Sequence, residues 1–141
     1  MRILIAEDDP AYRNLLEQIL INWGYEVVVA LDGNEACQAL QVDDAPQLAI
    51  LDWEMPGMNG VEICRQVRQE TREPYIYLLL LTAHQRDEDL ITGMEAGADD
   101  YLTKPVKINE LRVRLNAGRR MVAVQNELLA ARKTITAHAS K

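Results

Sequence analysis

Five short apolar runs, separated by helical patterns, constrain the fold of this chain more than any other feature. Each run has the length of a strand and is apolar at successive positions, as expected for a strand buried on both faces of a sheet. The predicted strands are Arg2–Ala6, Glu26–Ala30, Leu48–Leu51, Tyr75–Leu81 and Tyr101–Leu102. The longest continuous apolar run, residues 76–81, is far too short to cross a membrane, so we expect no membrane segment.

Helical periodicity fills the intervals between these runs. The clearest helix begins at Asp9 and Pro10, an N-cap residue followed by proline at the first helical position, and it ends at Gly24. Further helices are predicted over residues 33–41, 61–70 and 87–96, and a final helix begins near Asn109. This alternation predicts an α/β domain in which helices cover both faces of a doubly wound parallel sheet.

Reactive side chains follow four of the five predicted strands. They are Glu7, Asp8 and Asp9 after the first strand, Asp52 after the third, Thr82 after the fourth and Lys104 after the fifth. The functional crevice of such a sheet lies outside the carboxyl ends of its strands, so these groups should converge there. Clustered carboxylates repel and favour a cation such as Mg²⁺, which prefers oxygen ligands and accepts phosphate oxygens. A carboxylate can act as a nucleophile toward phosphorus. Asp9 has a separate explanation, because it is the predicted N-cap of the first helix.

Four segments at these strand ends resemble the receiver domain of two-component response regulators. They are ILIAEDD at 3–9, LDWEMPGMNG at 51–60, LTA at 81–83 and GADDYLTKP at 97–105. One segment alone would be weak, but four in order make the resemblance specific. It covers about residues 1–118 and implies a flavodoxin-like fold of five helices and strand order 2-1-3-4-5, with an extended last helix. We expect a receiver domain over residues 1–120 and a C-terminal helical extension, a candidate coiled-coil linker, over 121–141.

The resemblance implies a phosphorelay function. Asp52 would accept a phosphoryl group from the phosphohistidine of a sensor histidine kinase or a phosphotransfer protein, and phosphorylation would switch dimer or partner affinity. Mg²⁺, or Mn²⁺, would be bound by Asp8, Asp52 and the backbone carbonyl of Glu54, with Glu7 assisting through water. Such a chain catalyses its own phosphorylation and dephosphorylation but is not a classified enzyme, and we expect any output enzyme domain to be absent from it.

The resemblance also implies roles for residues around the phosphoryl group. Thr82 and Lys104 would each bind a phosphoryl oxygen, and Tyr101 would be the aromatic switch that follows Thr82. Glu54 and His84 would tune the rate of phosphate loss. The peptide bond before Pro105 would be cis.

Glycines in the loop after the third strand have a predicted role of their own. Turn chemistry in PGMNG predicts positive φ at Gly57 and Gly60.

Charge is distributed unevenly along the chain. Residues 1–111 carry 8 Lys and Arg against 21 Asp and Glu, a net charge of −13, whereas residues 112–141 carry 7 against Glu127 alone, a net charge of +6. An acidic body argues against nucleic acid as a direct partner. The first residues do not form an export signal, so we expect a cytoplasmic chain in which Cys37 and Cys64 are reduced and buried.

The last predicted helix continues beyond the point where a receiver ends. Its apolar residues fall at alternating three- and four-residue spacing, as in a heptad repeat. They are Met121, Val124, Leu128, Ala131 and Ile135. We expect the helix to reach the mid-130s and the tail from Ala137 to fray, and we expect either a homodimer through this helix or a helix that folds back on its own domain. No second domain follows, so the chain is either a stand-alone receiver or a fragment of a longer regulator.

Two other functions share part of this pattern of residues. A phosphatase of the haloacid dehalogenase type also places an aspartate after a strand, but it needs a second aspartate at the position that Glu54 occupies here. A receiver-like module that binds partners without phosphorylation would usually lack an acid, the threonine or the lysine, and this chain has all of them. Walker A and Rossmann glycine patterns are absent, and two histidines are too few for a zinc site.

Overall fold

A computed structural model of the chain describes residues 1–70, 73–83 and 86–139. Within these residues, five parallel strands form one sheet in the order β2-β1-β3-β4-β5. The strands are β1 Arg2–Ala6, β2 Glu26–Ala30, β3 Leu48–Asp52, β4 Tyr77–Thr82 and β5 Asp100–Thr103. The predicted doubly wound fold and its strand order are confirmed.

The helices connect these strands in the predicted sequence. They are α1 Pro10–Asn22, α2 Gly33–Gln41, α3 Gly60–Gln69, α4 Asp87–Glu95 and α5 Ile108–Ala139. Asp9 caps α1 as predicted, because its carboxylate accepts a hydrogen bond from the N–H of Ala11 at 3.0 Å. None of the helices in the described residues is both long and apolar enough for a membrane crossing.

Apolar side chains fill both sides of the sheet. Alternate residues of each strand point to opposite faces, so Leu4 packs in the core beneath α2 and α3, while Ile3 and Ile5 pack in the core beneath α1 and α5. Cys37 and Cys64 are both buried in the first of these cores and form no disulfide, which confirms the prediction of buried free thiols.

Strands β3 and β5 extend one residue beyond their predicted ends, at one end of β3 and at both ends of β5, and two other predicted boundaries were wrong by more. Strand β4 begins at Tyr77 rather than Tyr75, because Tyr75 lies before the strand and its hydroxyl donates a hydrogen bond to the carboxylate of Asp99. Helix α5 continues through Ala139, although fraying was predicted from Ala137. Gly118 is the last glycine of the chain and no proline follows it, so nothing breaks a C-terminal segment rich in alanine, the best helix former. Ser140 and Lys141 lie outside the described residues.

Candidate phosphoryl-acceptor site

A cleft of about 490 Å³ opens at the carboxyl edge of the sheet. The polypeptide brings the predicted strand-end residues to it because β1, β3, β4 and β5 are parallel and therefore end on the same side. The lining residues are Glu7, Asp8, Asp9, Asp52, Trp53, Glu54, Met55, Pro56, Ala83 and Lys104.

Lys104 joins two buried carboxylates in this cleft. Its Nζ lies 2.9 Å from Oε2 of Glu7 and 3.2 Å from Oδ1 of Asp52. Glu7 is only 1% exposed and Asp52 only 6% exposed, so both acids are removed from bulk water. Burial of this kind disfavours charge unless each charge is compensated, and here one ammonium group serves two carboxylates.

The pKa values of this group show that the compensation is incomplete. Burial and, next in size, the negative charge of Glu7 raise the pKa of Asp52 from 3.8 to about 7, although Lys104 acts to lower it. Burial alone would lower the pKa of Lys104, but its hydrogen bond to Glu7 and the charge of Asp52 raise it above its ordinary value. Lys104 therefore stays protonated, while the acids still lack positive charge.

A divalent cation fits this deficit. Carboxylate oxygens of Glu7, Asp8 and Asp52 all lie within 4.8 Å of one another. Asp8 is exposed, so the group can be reached from solvent. Hard oxygen donors with excess negative charge suit Mg²⁺, and the donor set therefore matches the metal expected from the sequence.

The predicted phosphoryl-binding residues lie at the ends of β4 and β5. Thr82 is fully buried and is the last residue of β4. Its backbone carbonyl accepts a hydrogen bond from the N–H of Lys104 at 2.8 Å, which fixes the start of the loop after β5. Tyr101 is half-buried in β5 and packs against the core beneath α2 and α3.

The loop after Asp52 depends on two glycines for different reasons. Gly57 has a φ of 79°, as predicted. Gly60 has no positive φ, so that prediction was wrong, and the reason for glycine there is close approach. A Cβ on Gly60 would lie 2.5 Å from the carbonyl oxygen of Asp52. With any larger residue at this position, the backbone at the start of α3 could not pass so close to Asp52.

Other sequence-derived site residues are placed as follows. Glu54 lines the cleft two residues after Asp52. The peptide bond between Lys104 and Pro105 is cis, and the resemblance implied a cis bond there. His84 lies outside the described residues.

Two contacts at the site were not anticipated from the sequence. Glu7 is the direct partner of Lys104, whereas the resemblance gave it only an assisting role through water. The ring of Trp53, next to Asp52, lies against α4, where a Cβ on Gly93 would be 3.3 Å from it. The available signal was a glycine inside the predicted helix over residues 87–96, since such a glycine often marks a close approach.

Comparisons with known proteins agree on one family. The family model of the response regulator receiver domain matches residues 3–116. The chain is 42% identical over 126 residues to the uncharacterized transcriptional regulatory protein YrkP of Bacillus subtilis (strain 168), which covers 89% of this chain and 52% of that protein. It is 42% identical over 116 residues to the DNA-binding dual master transcriptional regulator RpaA of Synechocystis sp. (strain PCC 6803), with 82% of this chain and 48% of that protein covered.

The solved structures agree with the sequence relatives. The receiver domain of the Francisella response regulator 1452 superposes with a TM-score of 0.78 at 29% identity, covering 85% of this chain and 97% of that one. The chain spans about half the length of the curated relatives it matches.

Proposed function

The chain belongs to the response regulator receiver domain family, and we propose that it works as the phosphoryl acceptor of a two-component phosphorelay. In this proposal Asp52 takes the phosphoryl group from the phosphohistidine of a sensor kinase or a phosphotransfer protein. The proposed receiver occupies residues 1–120, and residues 121–141 are its C-terminal extension, of which 121–139 continue α5. The chain acts on its own aspartate rather than turning over a separate substrate.

One observation supports Asp52 as the acceptor more than any other. Its carboxylate is buried at the carboxyl edge of the sheet, in a cleft that is lined by four further acids and one lysine. A salt bridge serving only stability would pair one lysine with one acid. The excess of acids instead leaves the site short of positive charge, as expected where a cation and a phosphoryl group bind together.

The chemical step is a transfer between two nucleophiles. A carboxylate oxygen of Asp52 attacks phosphorus and forms the acyl phosphate, while the bond from phosphorus to the donor histidine nitrogen breaks and its electron pair stays on that nitrogen. Lys104 lies 3.2 Å from Oδ1 of Asp52 and is placed to stabilise charge on a phosphoryl oxygen. The Thr82 hydroxyl is proposed as a donor to another oxygen.

Mg²⁺, or Mn²⁺, is the proposed cofactor. Asp8, Asp52 and the backbone carbonyl of Glu54 would hold it, with Glu7 assisting, and the bound ion would neutralise charge that develops on the phosphoryl oxygens. Glu7 meanwhile holds Lys104 at 2.9 Å, which keeps the ammonium group beside Asp52.

The output is proposed to be a change in the surface of α4 and β5. Thr82 moves toward the phosphoryl group, Tyr101 takes the space beside it, and one of two packings becomes favoured. Glu54 and His84 set how quickly the phosphate is lost. The contact of Trp53 with Gly93 gives α4 a short connection to the acceptor. The altered surface then changes affinity for a partner or for a second copy of the chain through α5.

Intact mass spectrometry tests this function. The folded chain is incubated with Mg²⁺ and acetyl phosphate, and the same reaction is run with Asp52→Asn and with Asp9→Asn. Asp9 lines the same cleft but is accounted for by helix capping, so it is the matched control. We expect the mass of one phosphoryl group on the wild type and on Asp9→Asn, and none on Asp52→Asn.

Two results would contradict the proposal. Label on Asp52→Asn would place the acceptor elsewhere. No label on a folded wild-type chain that binds Mg²⁺, even with a phosphorylated kinase or phosphotransfer protein as donor, would favour a module that signals by contact alone.

A further inference from the structure

The last four turns of α5 leave an apolar stripe uncovered. We name the heptad residues the seam, and they are Met121, Val124, Leu128, Ala131 and Ile135. Met121 is partly buried against the core of its own domain, and the four residues that follow it are exposed. Val124 and Leu128 are each 53% exposed and Ile135 is 67% exposed. The last residue of α5 that is fully buried in its own domain is Val122, so the helix leaves the core where the seam begins.

A different face of the same helix contacts the domain. Asn126 and Gln47 exchange side-chain hydrogen bonds of 3.0 and 3.4 Å. Arg132 forms an ion pair with Glu73 at 3.0 Å. Since residues are spaced 100° apart, Asn126 lies on the side of the helix opposite the seam, and Arg132 lies beside the seam, about a sixth of a turn from its centre. The helix therefore folds back on its own domain through these polar groups and still presents the seam to solvent from Val124 onward.

We propose that the seam pairs with the seam of a second copy in a parallel, two-stranded coiled coil. The seam residues occupy the alternating a and d positions of a heptad, with Met121, Leu128 and Ile135 at a. Glu127 then falls at g and Arg132 at e. In a parallel pair the g residue of one helix faces the e residue of the next heptad on the other, so Glu127 meets Arg132 of the second copy, twice by symmetry.

Charge complementarity favours this arrangement over the alternatives. The Glu127–Arg132 pairing exists only when the helices run parallel and in register, because antiparallel helices match g with g and e with e. The basic excess of the C-terminal segment does not oppose it. Arg112, Arg114, Arg119 and Arg120 all precede the seam, and between residues 121 and 136 only Arg132 and Lys133 are basic.

Arg132 has two competing acidic partners in this arrangement. Within one chain it pairs with Glu73, and both side chains are well exposed, at 63% and 49%. In the dimer it pairs with Glu127 of the second copy. The intramolecular pair therefore holds Arg132 away from the dimer, and releasing it strengthens association. This inference rests on the proposed output through α5 and not on phosphorylation of Asp52.

Sedimentation equilibrium across the micromolar range tests the seam. The wild-type mass should rise with concentration from 16.0 kDa toward twice that value. Leu128→Glu should weaken association by about tenfold or more, because it places two like charges in the apolar seam. Ala130→Glu makes the same charge change on an exposed position outside the seam and should leave the mass curve close to wild type.

Cross-linking tests the direction of the helices. Ile135→Cys should oxidise with copper phenanthroline to a disulfide-linked dimer, in which two thiols lose two electrons and two protons to the copper oxidant. In an antiparallel pair the two introduced cysteines would lie about 20 Å apart and could not join. Ala130→Cys is the matched control that should form no disulfide-linked dimer, and the native cysteines are both buried.

Glu73→Gln tests the competition. It should tighten association by about twofold to fivefold, the range expected when an exposed ion pair is removed. Glu127→Lys should weaken association, and adding Arg132→Glu to it should restore it. A chain that stays monomeric throughout, a trimer, or equal cross-linking of both cysteine variants would overturn the parallel dimer. Since all arms use the unphosphorylated chain, they can fail while Asp52 still accepts phosphate, and the reverse also holds.

Discussion

Two clusters of charge lie at opposite edges of the same sheet, and they are built in opposite ways. At the carboxyl edge, Lys104 serves Glu7 and Asp52, with Asp8 close by. At the amino edge, Asp99 is the single acid. It accepts hydrogen bonds from Arg68 and from the N–H of Leu78, each at 2.8 Å, and from the Tyr75 hydroxyl.

We call the amino-edge cluster closed, because its hydrogen bonds are all made within the chain. We call the carboxyl-edge cluster open, because it has more acid than the chain neutralises. The amino-edge cluster joins α3 to the segments before β4 and β5, since Arg68 also donates to the carbonyl of Gly97 at 3.0 Å. Every bond there is made within the chain. The carboxyl-edge cluster has more acid than the chain neutralises, so it is less stable alone and gains from an added cation. Stability and proposed function thus occupy different edges of one sheet.

Asp99→Ala should break the closed cluster and give the largest effect. It leaves the Arg68 guanidinium and the Leu78 N–H without their carboxylate, and we expect the free energy of unfolding to fall by about 3 kcal/mol. Urea denaturation followed by circular dichroism measures it. Asp100→Ala is the matched control, because Asp100 pairs with Arg114 at 3.2 Å at a more exposed position and should lose about 1 kcal/mol or less. Equal losses would mean that Asp99 has no special role.

Asp52→Asn should have the opposite sign. The pKa of Asp52 is raised from 3.8 to about 7, so the folded chain holds this proton more tightly than the unfolded chain does. The stabilisation that this proton supplies is complete below pH 4 and is lost as the pH rises through 7. Without divalent ions, Asp52→Asn should therefore gain stability relative to wild type as the pH rises from 5 to 8, by about 2 kcal/mol. Urea titrations at both pH values measure this, and a difference that does not change with pH would contradict it.

Added Mg²⁺ should neutralise the excess negative charge of the open cluster and so stabilise the folded chain. At a concentration about tenfold above the dissociation constant, binding to the folded state adds about 1.4 kcal/mol, or a few degrees in the melting temperature. Asp8→Asn and Asp52→Asn should each reduce the gain, and Asp99→Asn should keep it. Thermal unfolding with and without Mg²⁺ measures the shift. An equal shift in all variants would indicate nonspecific binding.

The open cluster could be predicted from the sequence because its members are set by strand order. Asp52, Thr82 and Lys104 each follow an apolar run directly, and parallel strands bring such positions to one edge whatever the helices do. These residues can be grouped from the sequence even though they lie far apart along the chain. The burial of each side chain could not be predicted, since nothing in Glu7-Asp8-Asp9 indicates that Glu7 is buried while Asp8 is exposed.

The closed cluster could not be predicted in the same way. Arg68 lies on a helix, Tyr75 in a loop and Asp99 before a strand, and no periodicity relates these positions. Tyr75 continues the apolar run into β4, so the sequence predicts it to be part of the strand. In the structure Tyr75 lies before β4, where its hydroxyl donates a hydrogen bond to Asp99 and its backbone carbonyl accepts one from Gln47.

Tyr75→Phe tests the smallest contribution to the closed cluster, because it removes one hydroxyl group and keeps the aromatic ring. The Arg68 guanidinium lies 4.5 Å from the centre of that ring, and this contact should survive. The lost hydroxyl donates a hydrogen bond to Asp99 and accepts one from Arg68 at 3.1 Å. Asp99 would keep its bonds to Arg68 and Leu78, and Arg68 would keep its bond to Asp99, so the loss should be about 1 kcal/mol. Tyr77→Phe is the control. Tyr77 is equally aromatic and more deeply buried, but its hydroxyl has no hydrogen-bond partner in the part of the chain that the structure describes, so urea denaturation at neutral pH should show a smaller loss. If the two variants lose the same free energy, the Tyr75 hydroxyl adds nothing to the closed cluster, and its stability would come from Arg68 and Asp99 alone.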